Sequence, residues 1–126
     1  MKKIIFTEKA PAPIGPYSQA VLAGNTLYVS GQIPLNPSSG ELVMDSIEEQ
    51  TRQVMENLKS VLTEAGMTFN NVVKATIFIT DMNNFTKINS VYGSYFSDDN
   101  APARETVQVS KLPKNVDVEI SVIAVK

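Results

Sequence analysis

The stretch Val116-Asp117-Val118-Glu119-Ile120-Ser121-Val122-Ile123-Ala124-Val125 constrains the fold more than any other part of the chain. It alternates with period two, so Val116, Val118, Ile120, Val122 and Ala124 share one face of a strand. That face must be covered, and the rest of the chain offers helices to cover it. The opposite face reads Asp117, Glu119, Ser121, Ile123, Val125, polar first and apolar later. A strand facing water rarely ends in Ile and Val on its outer side. This face is therefore expected to meet another subunit, with Glu119 at or beside the contact.

The helices come from two well-punctuated segments. Ser46 with Glu49 three residues on has the capping-box pattern, and Gly66 suits a C-terminal stop. Ile47, Val54, Leu58, Val61, Leu62 and Ala65 form an apolar stripe between them, which predicts a helix over 47–65. A second helix, capped by Asp81 or Asn83, carries the stripe Phe85, Ile88, Tyr92, Tyr95, Phe96. Strands are predicted over 17–22, 26–33, 72–80, 104–109 and 116–125, the first two joined as a hairpin through Ala23-Gly24-Asn25. Residues 7–16, with three prolines and Gly15, and residues 34–40 read as loops. Strands and helices are mixed rather than strictly alternating, which predicts an α+β layer with two helices on one face of a mixed sheet. With 126 residues and no shift in composition, one domain over 1–126 is expected, needing no disulfide or metal staple.

The chain has no histidine and no cysteine. That excludes imidazole or thiolate zinc sites, thiol nucleophiles and a Ser-His-Asp triad, leaving carboxylates, hydroxyls, amides and backbone for chemistry. No acidic cluster has calcium-loop spacing, and no phosphate-cradling glycine loop occurs. Net charge is -2 with basic residues scattered singly, which disfavours nucleic acid as a partner. Met1-Lys2-Lys3-Ile4-Ile5-Phe6 is too short for a signal peptide's apolar region, and no stretch is long enough to span a membrane. A cytosolic location is expected, which leaves the sequon Asn84-Phe85-Thr86 a coincidence.

A few residues stand out against this background. Arg104 follows Ala101-Pro102-Ala103, a stiff approach, and its planar fork suits a carboxylate or phosphate. On the residues alone a surface ion pair with Glu119 or Glu105 accounts for it more simply, since most arginines are solvated or paired. Glu119 can polarise a water if partial burial raises its pKa, or can pair with a lysine across the sheet. Asn89 within the second stripe, and Asn57 within the first, read as satisfied core amides or as ligand contacts. Tyr17, after Gly15-Pro16, either presents its ring to a pocket or is core with a bonded tip. Ser30-Gly31 allows close approach of a ligand to the backbone, or marks a bulge.

Taken together, these pieces resemble the RidA (YjgF) family of reactive-intermediate deaminases. The matching stretches are Ile14-Gly15-Pro16-Tyr17-Ser18-Gln19-Ala20, Ser30-Gly31-Gln32-Ile33-Pro34, Asn36-Pro37-Ser38-Ser39-Gly40 and Val72-Val73-Lys74. They continue with Phe85 and Asn89, Val91, Tyr92, Tyr95 and Phe96, then Pro102-Ala103-Arg104, Leu112-Pro113 and Val118-Glu119-Ile120. The resemblance runs from about residue 9 to 126 in register. It implies a chorismate-mutase-like α+β fold and a homotrimer with a central barrel and sites between subunits. It also implies cofactor-free hydrolysis of 2-imino acids, such as 2-iminobutanoate and 2-iminopropanoate, to 2-oxo acids and ammonia. By position Arg104 would bind the substrate carboxylate and Glu119 would activate water. Tyr17, Ser30, Gly31, Phe85 and Asn89 would line the pocket. Thr106 stands where several members carry cysteine, so any role there falls to its hydroxyl or its backbone. The alternatives are a small-molecule-binding regulator without turnover and, with less support, a ribonuclease or translation inhibitor.

Overall fold

The computed structural model describes residues 1–126. Helix α1 (Ile47–Glu64) starts where Ser46, in extended backbone, accepts a hydrogen bond from the Glu49 N–H at 3.1 Å. It stops where Gly66 takes φ +74 and the Met67 N–H closes on the Leu62 carbonyl at 2.8 Å. A left-handed residue of this kind satisfies carbonyls that the helix end would otherwise leave free. Around these ends the predicted stripe buries Val54, Leu58, Val61 and Leu62 completely.

Six strands follow one another as β1 (Lys2–Ile5), β2 (Ala20–Ala23), β3 (Thr26–Gln32), β4 (Val72–Ile79), β5 (Ala103–Gln108) and β6 (Val118–Val125). They form one sheet in the order β1-β2-β3-β6-β4-β5. Only β4 and β5 run parallel, connected across helix α2 (Phe85–Gly93); all other neighbours are antiparallel. This is the mixed sheet expected from the order of elements. α1 lies against β3 and β6, and α2 lies against α1. No helix is long and apolar enough to cross a membrane.

Three local expectations need correction. β1 has two lysines in four residues and no alternation, so it carries no strand signal of its own. It becomes a strand by pairing with β2, from Lys2 opposite Ala23 to Ile5 opposite Ala20. The predicted strand at 17–22 begins only at Ala20. Tyr17 belongs instead to a tight turn, its N–H donating to the Gly15 carbonyl at 2.8 Å, and it is 50% exposed rather than core. α2 is shorter than its stripe: Asp81 caps a preceding 3-10 turn (Met82–Asn84), and Tyr95 and Phe96 lie past the helix end. Those two rings join Phe69, with centroids 5.3 and 5.4 Å away.

The loop before β2 is held by one buried amide. Gln19 accepts from the Thr7 N–H at 2.7 Å and donates to the carbonyls of Thr7, Ala10 and Pro11. Leucine fills the same space but leaves those backbone groups unpaired beneath the surface. Gln19→Leu should therefore cost about 3 kcal/mol of unfolding free energy, read from urea denaturation. An unchanged midpoint would mean that the loop is anchored elsewhere.

Strand parity now fixes the two faces. Val116, Val118, Ile120, Val122 and Ala124 are all 3% exposed or less beneath the helices, as predicted. The other face of the sheet has no cover. It presents Tyr28 at 51%, Val107 at 41% and Ile4 at 51% exposure, with Ile123 and Phe78 half-buried among them. That is more apolar surface than a water-facing sheet commonly shows.

Candidate active site

The predicted site residues fall into two groups on opposite faces of the sheet. Arg104 lies opposite Ala75, which is fully buried on the helix side, so the guanidinium points toward α2. There its Nη1 donates to the Asn89 side-chain oxygen at 2.6 Å. The guanidinium carbon sits 5.0 Å from the Tyr92 ring centroid and 5.7 Å from that of Phe85. Aromatic faces attract a cation without neutralising it. No carboxylate pairs with Arg104: the ion pairs of this chain are Arg52 with Glu49 and Lys74 with Glu105. The ion-pair alternative for Arg104 is thereby removed, because Glu105 as the next residue on the strand points to the opposite face. The bonds from Thr76 and Lys74 hold the Glu105 carboxyl below its usual range.

Of the two readings of Asn89, core amide or ligand contact, the first falls, since the residue lines the cavity beside Arg104. It is exposed, not core, and its oxygen orients the arginine. Asn57, by contrast, is the satisfied core amide, donating to the carbonyls of Ile33 and Leu35 and accepting from Gln53. Thr106 shares the face of Arg104, and its buried hydroxyl oxygen has no hydrogen-bond partner. Sequence reasoning placed Tyr92 only in the core. It also lines an open cavity of about 440 Å³ with Arg104, Asn89, Phe96 and Pro102. Its hydroxyl is buried and unpartnered, and burial pushes its pKa up to about 12 against the opposing pull of Arg104. The available signal was its place three residues after Asn89 on one helical face.

Glu119 occupies the uncovered face, opposite Phe78 of β4. No lysine reaches it across the sheet, so that alternative also falls. Burial without a compensating charge raises its pKa above the ordinary carboxyl value. Between Val29 and Gln32 the pairing of β3 with β6 is irregular, and this bulge brings Gly31 directly under the Glu119 side chain. Ser30 in the same bulge donates its hydroxyl to the Ser18 carbonyl at 2.6 Å, tying the Tyr17 turn to β3. Ile14, Tyr17 and Pro113 complete a cavity of about 390 Å³ around the carboxylate. The turn carrying Pro113 holds Lys114 at φ 56 and Asn115 at φ 58, a region that non-glycine residues seldom occupy.

One chain thus supplies two half-sites. Arg104, Asn89, Phe85 and Thr106 lie on one face, and Glu119, Gly31, Ser30 and Tyr17 serve the other. The first can hold an anion and the second can hold a water near an unpaired carboxylate. A sheet one residue thick separates them. No three carboxylates come together anywhere in the fold.

The family described as endoribonuclease L-PSP matches residues 7–126. A RutC family protein of Pyrococcus horikoshii is 55% identical over all of this chain and 99% of its own length. The 2-iminobutanoate/2-iminopropanoate deaminase of Mus musculus is 49% identical, covering all of this chain and 93% of that protein. Among solved structures, YyfA of Yersinia pestis, described as a protein of unknown function of the conserved Rid protein family, superposes with a TM-score of 0.97. The two share 52% identity over the full length of both chains.

Proposed function

The chain belongs to the endoribonuclease L-PSP family, the family of the RidA proteins, and on that premise we propose that it is a 2-imino acid deaminase working as a homotrimer. The observation that carries this reading is the pair of uncompensated charges on opposite faces of one sheet. An arginine without a carboxylate awaits one, and a desolvated glutamate without a cation is poised to take a proton. Neither can meet the other within one chain. A second copy laid with its uncovered face near β5 brings its Glu119 pocket toward Arg104, and a ring of three closes around the apolar faces as a central barrel. The names of relatives support the substrate class, since the mouse relative acts on 2-iminobutanoate and 2-iminopropanoate. The sequence's cytosolic character belongs to the same proposal.

The chemistry needs no nucleophilic side chain. The substrate carboxylate lies in the Arg104 fork, which holds the protonated imine carbon toward the neighbouring subunit's Glu119. Glu119 takes a proton from water as the water oxygen bonds to that carbon and the C=N π electrons move to nitrogen. The resulting carbinolamine nitrogen then receives the proton from Glu119. The C–N bond breaks, the hydroxyl becomes the carbonyl of a 2-oxo acid, and its proton departs with ammonia as ammonium. Glu119 ends as it began.

Division of the site between subunits has its own test. Arg104→Ala and Glu119→Gln each leave every site of a homotrimer defective. Refolded together in equal amounts, they should restore roughly one site in four, because some neighbours then combine an intact arginine with an intact glutamate. Release of 2-oxo acid from imine generated by a coupled dehydratase measures this directly. Activity that stays at the sum of the separate variants would place both groups in one chain. A regulator without turnover would instead bind 2-oxo acids while imine decay stayed at its spontaneous rate. An RNA-cleaving role lacks support here, since no lysine or second arginine lines the Arg104 cavity.

A further inference from the structure

Gly31 is glycine for no reason of backbone conformation. The glycines with positive φ are Gly24, Gly40 and Gly66, and Gly31 is not among them. Crowding explains it instead. A side-chain carbon placed on Gly31 would meet Glu119 Cδ and Oε2 at 2.8 Å and Cγ at 3.0 Å, its three nearest neighbours. Such separations are well inside van der Waals contact, so the carboxylate would have to leave. Within its own chain Glu119 has no hydrogen-bond or ion partner that could hold it in place or pull it back.

Resting on the deaminase reading above, we infer that Gly31 is a positioning residue: the space left by its missing side chain seats the Glu119 carboxylate and fixes where it meets water. The bulge in β3 is what carries this seat beneath the glutamate. Other groups around it leave that task to packing. Phe78 faces it from β4 and Ser121 follows it on β6. Asp117, just before the same strand, is already held by Gln50 and Thr80. Tyr17 lines the cavity of Glu119 and Lys114 a neighbouring one beside Gly31, and neither makes an ion pair or hydrogen bond with Glu119. Lys74 of β4, on the same face, is paired with Glu105. A carboxylate so placed is held to one orientation because the seat admits it there, with its open side turned to the cavity that holds water. Its orientation is therefore set by an atom that is absent.

The test compares Gly31→Ala, Glu119→Ala and the double variant for 2-oxo acid release and for urea unfolding. Gly31→Ala is expected to lower kcat roughly 10- to 100-fold with KM changed by no more than about twofold, because Arg104 still grips the substrate. Its acidic limb should also move to lower pH, since a displaced carboxylate regains water and titrates nearer its ordinary value. In the Glu119→Ala background the same glycine substitution should have lost most of its effect on kcat and should no longer lower the unfolding midpoint. Should Gly31→Ala prove too unstable to assay, the double variant is expected to recover a wild-type-like midpoint, the colliding group being gone. Equal losses in both backgrounds, or a raised KM at constant kcat, would overturn the inference in favour of a backbone or substrate role. Full activity in Glu119→Ala alone would refute the catalytic role of Glu119, while the unfolding comparison would still decide whether Gly31 seats it.

Discussion

Arg104→Ala is expected to lower kcat/KM for short 2-imino acids by roughly 10²- to 10³-fold, the equivalent of about 3–4 kcal/mol of charge-assisted, bidentate hydrogen bonding. Asn89 occupies one donor at 2.6 Å, and no carboxylate competes for the rest of the fork. Most of the loss should fall on KM, because the carboxylate is gripped in ground and transition states alike. Some should fall on kcat, because an ungripped imine no longer points at the water. Arg104→Lys should recover little. A lysine is a point charge that cannot fork, and the aromatic pair of Tyr92 and Phe85 is spaced for a planar cation. The fold should survive both changes, since β5 is an edge strand and Arg104 is only half-buried. The readout is steady-state 2-oxo acid release alongside an unfolding curve. Wild-type kcat/KM in Arg104→Ala would end the carboxylate-grip reading.

Glu119→Gln should remove roughly 10²- to 10⁴-fold of kcat while leaving KM nearly unchanged, as expected for loss of a general base. The wild-type rate should also fall on the acid side through a limb lying above the ordinary glutamate value, because desolvation raises this carboxyl. Stability moves the other way. The folded-state pKa exceeds the unfolded one, so between them the native state binds more protons and stability declines as pH rises. The penalty for burying the charge is absent below the unfolded value and fully present above the folded one. Glutamine carries no charge at any pH, so Glu119→Gln should unfold at higher denaturant than wild type at neutral pH, with the advantage vanishing in acid. Faster unfolding or unchanged stability at neutral pH would contradict the burial argument, whatever the kinetics. A more stable but slower enzyme is the pattern expected where a site keeps a desolvated charge for chemistry.

Much of the architecture is legible because local signals agree with one another. Ser46, Gly66 and the stripe from Ile47 to Ala65 all name the same helix. Alternation in β6 correctly identified its covered face before any partner strand was known. The failures share a cause as well. β1 has no pattern of its own and exists through β2, while Tyr17 looks like a strand residue until Gln19 ties residues 7–11 into a loop. Asn89 reads as core on a helical wheel, yet α2 packs on α1 in a way that turns it outward to Arg104.

Residue types alone established that this chain must work with an arginine, a glutamate and amides, since it has no imidazole or thiol. Period-two alternation established that Glu119 lies away from the covered side of its own strand, while the ion pair of Arg104 with Glu105 stayed open until the strand was placed. Alternation is relative to one strand, however. Which faces coincide depends on pairing between residues far apart in the chain, here Ala75 with Arg104 and Phe78 with Glu119. Only that pairing set the two uncompensated charges on opposite sides of the sheet, and only the bulge of β3 put an empty Cβ position under the carboxylate. Both are consequences of long-range register, which no local pattern of side chains encodes.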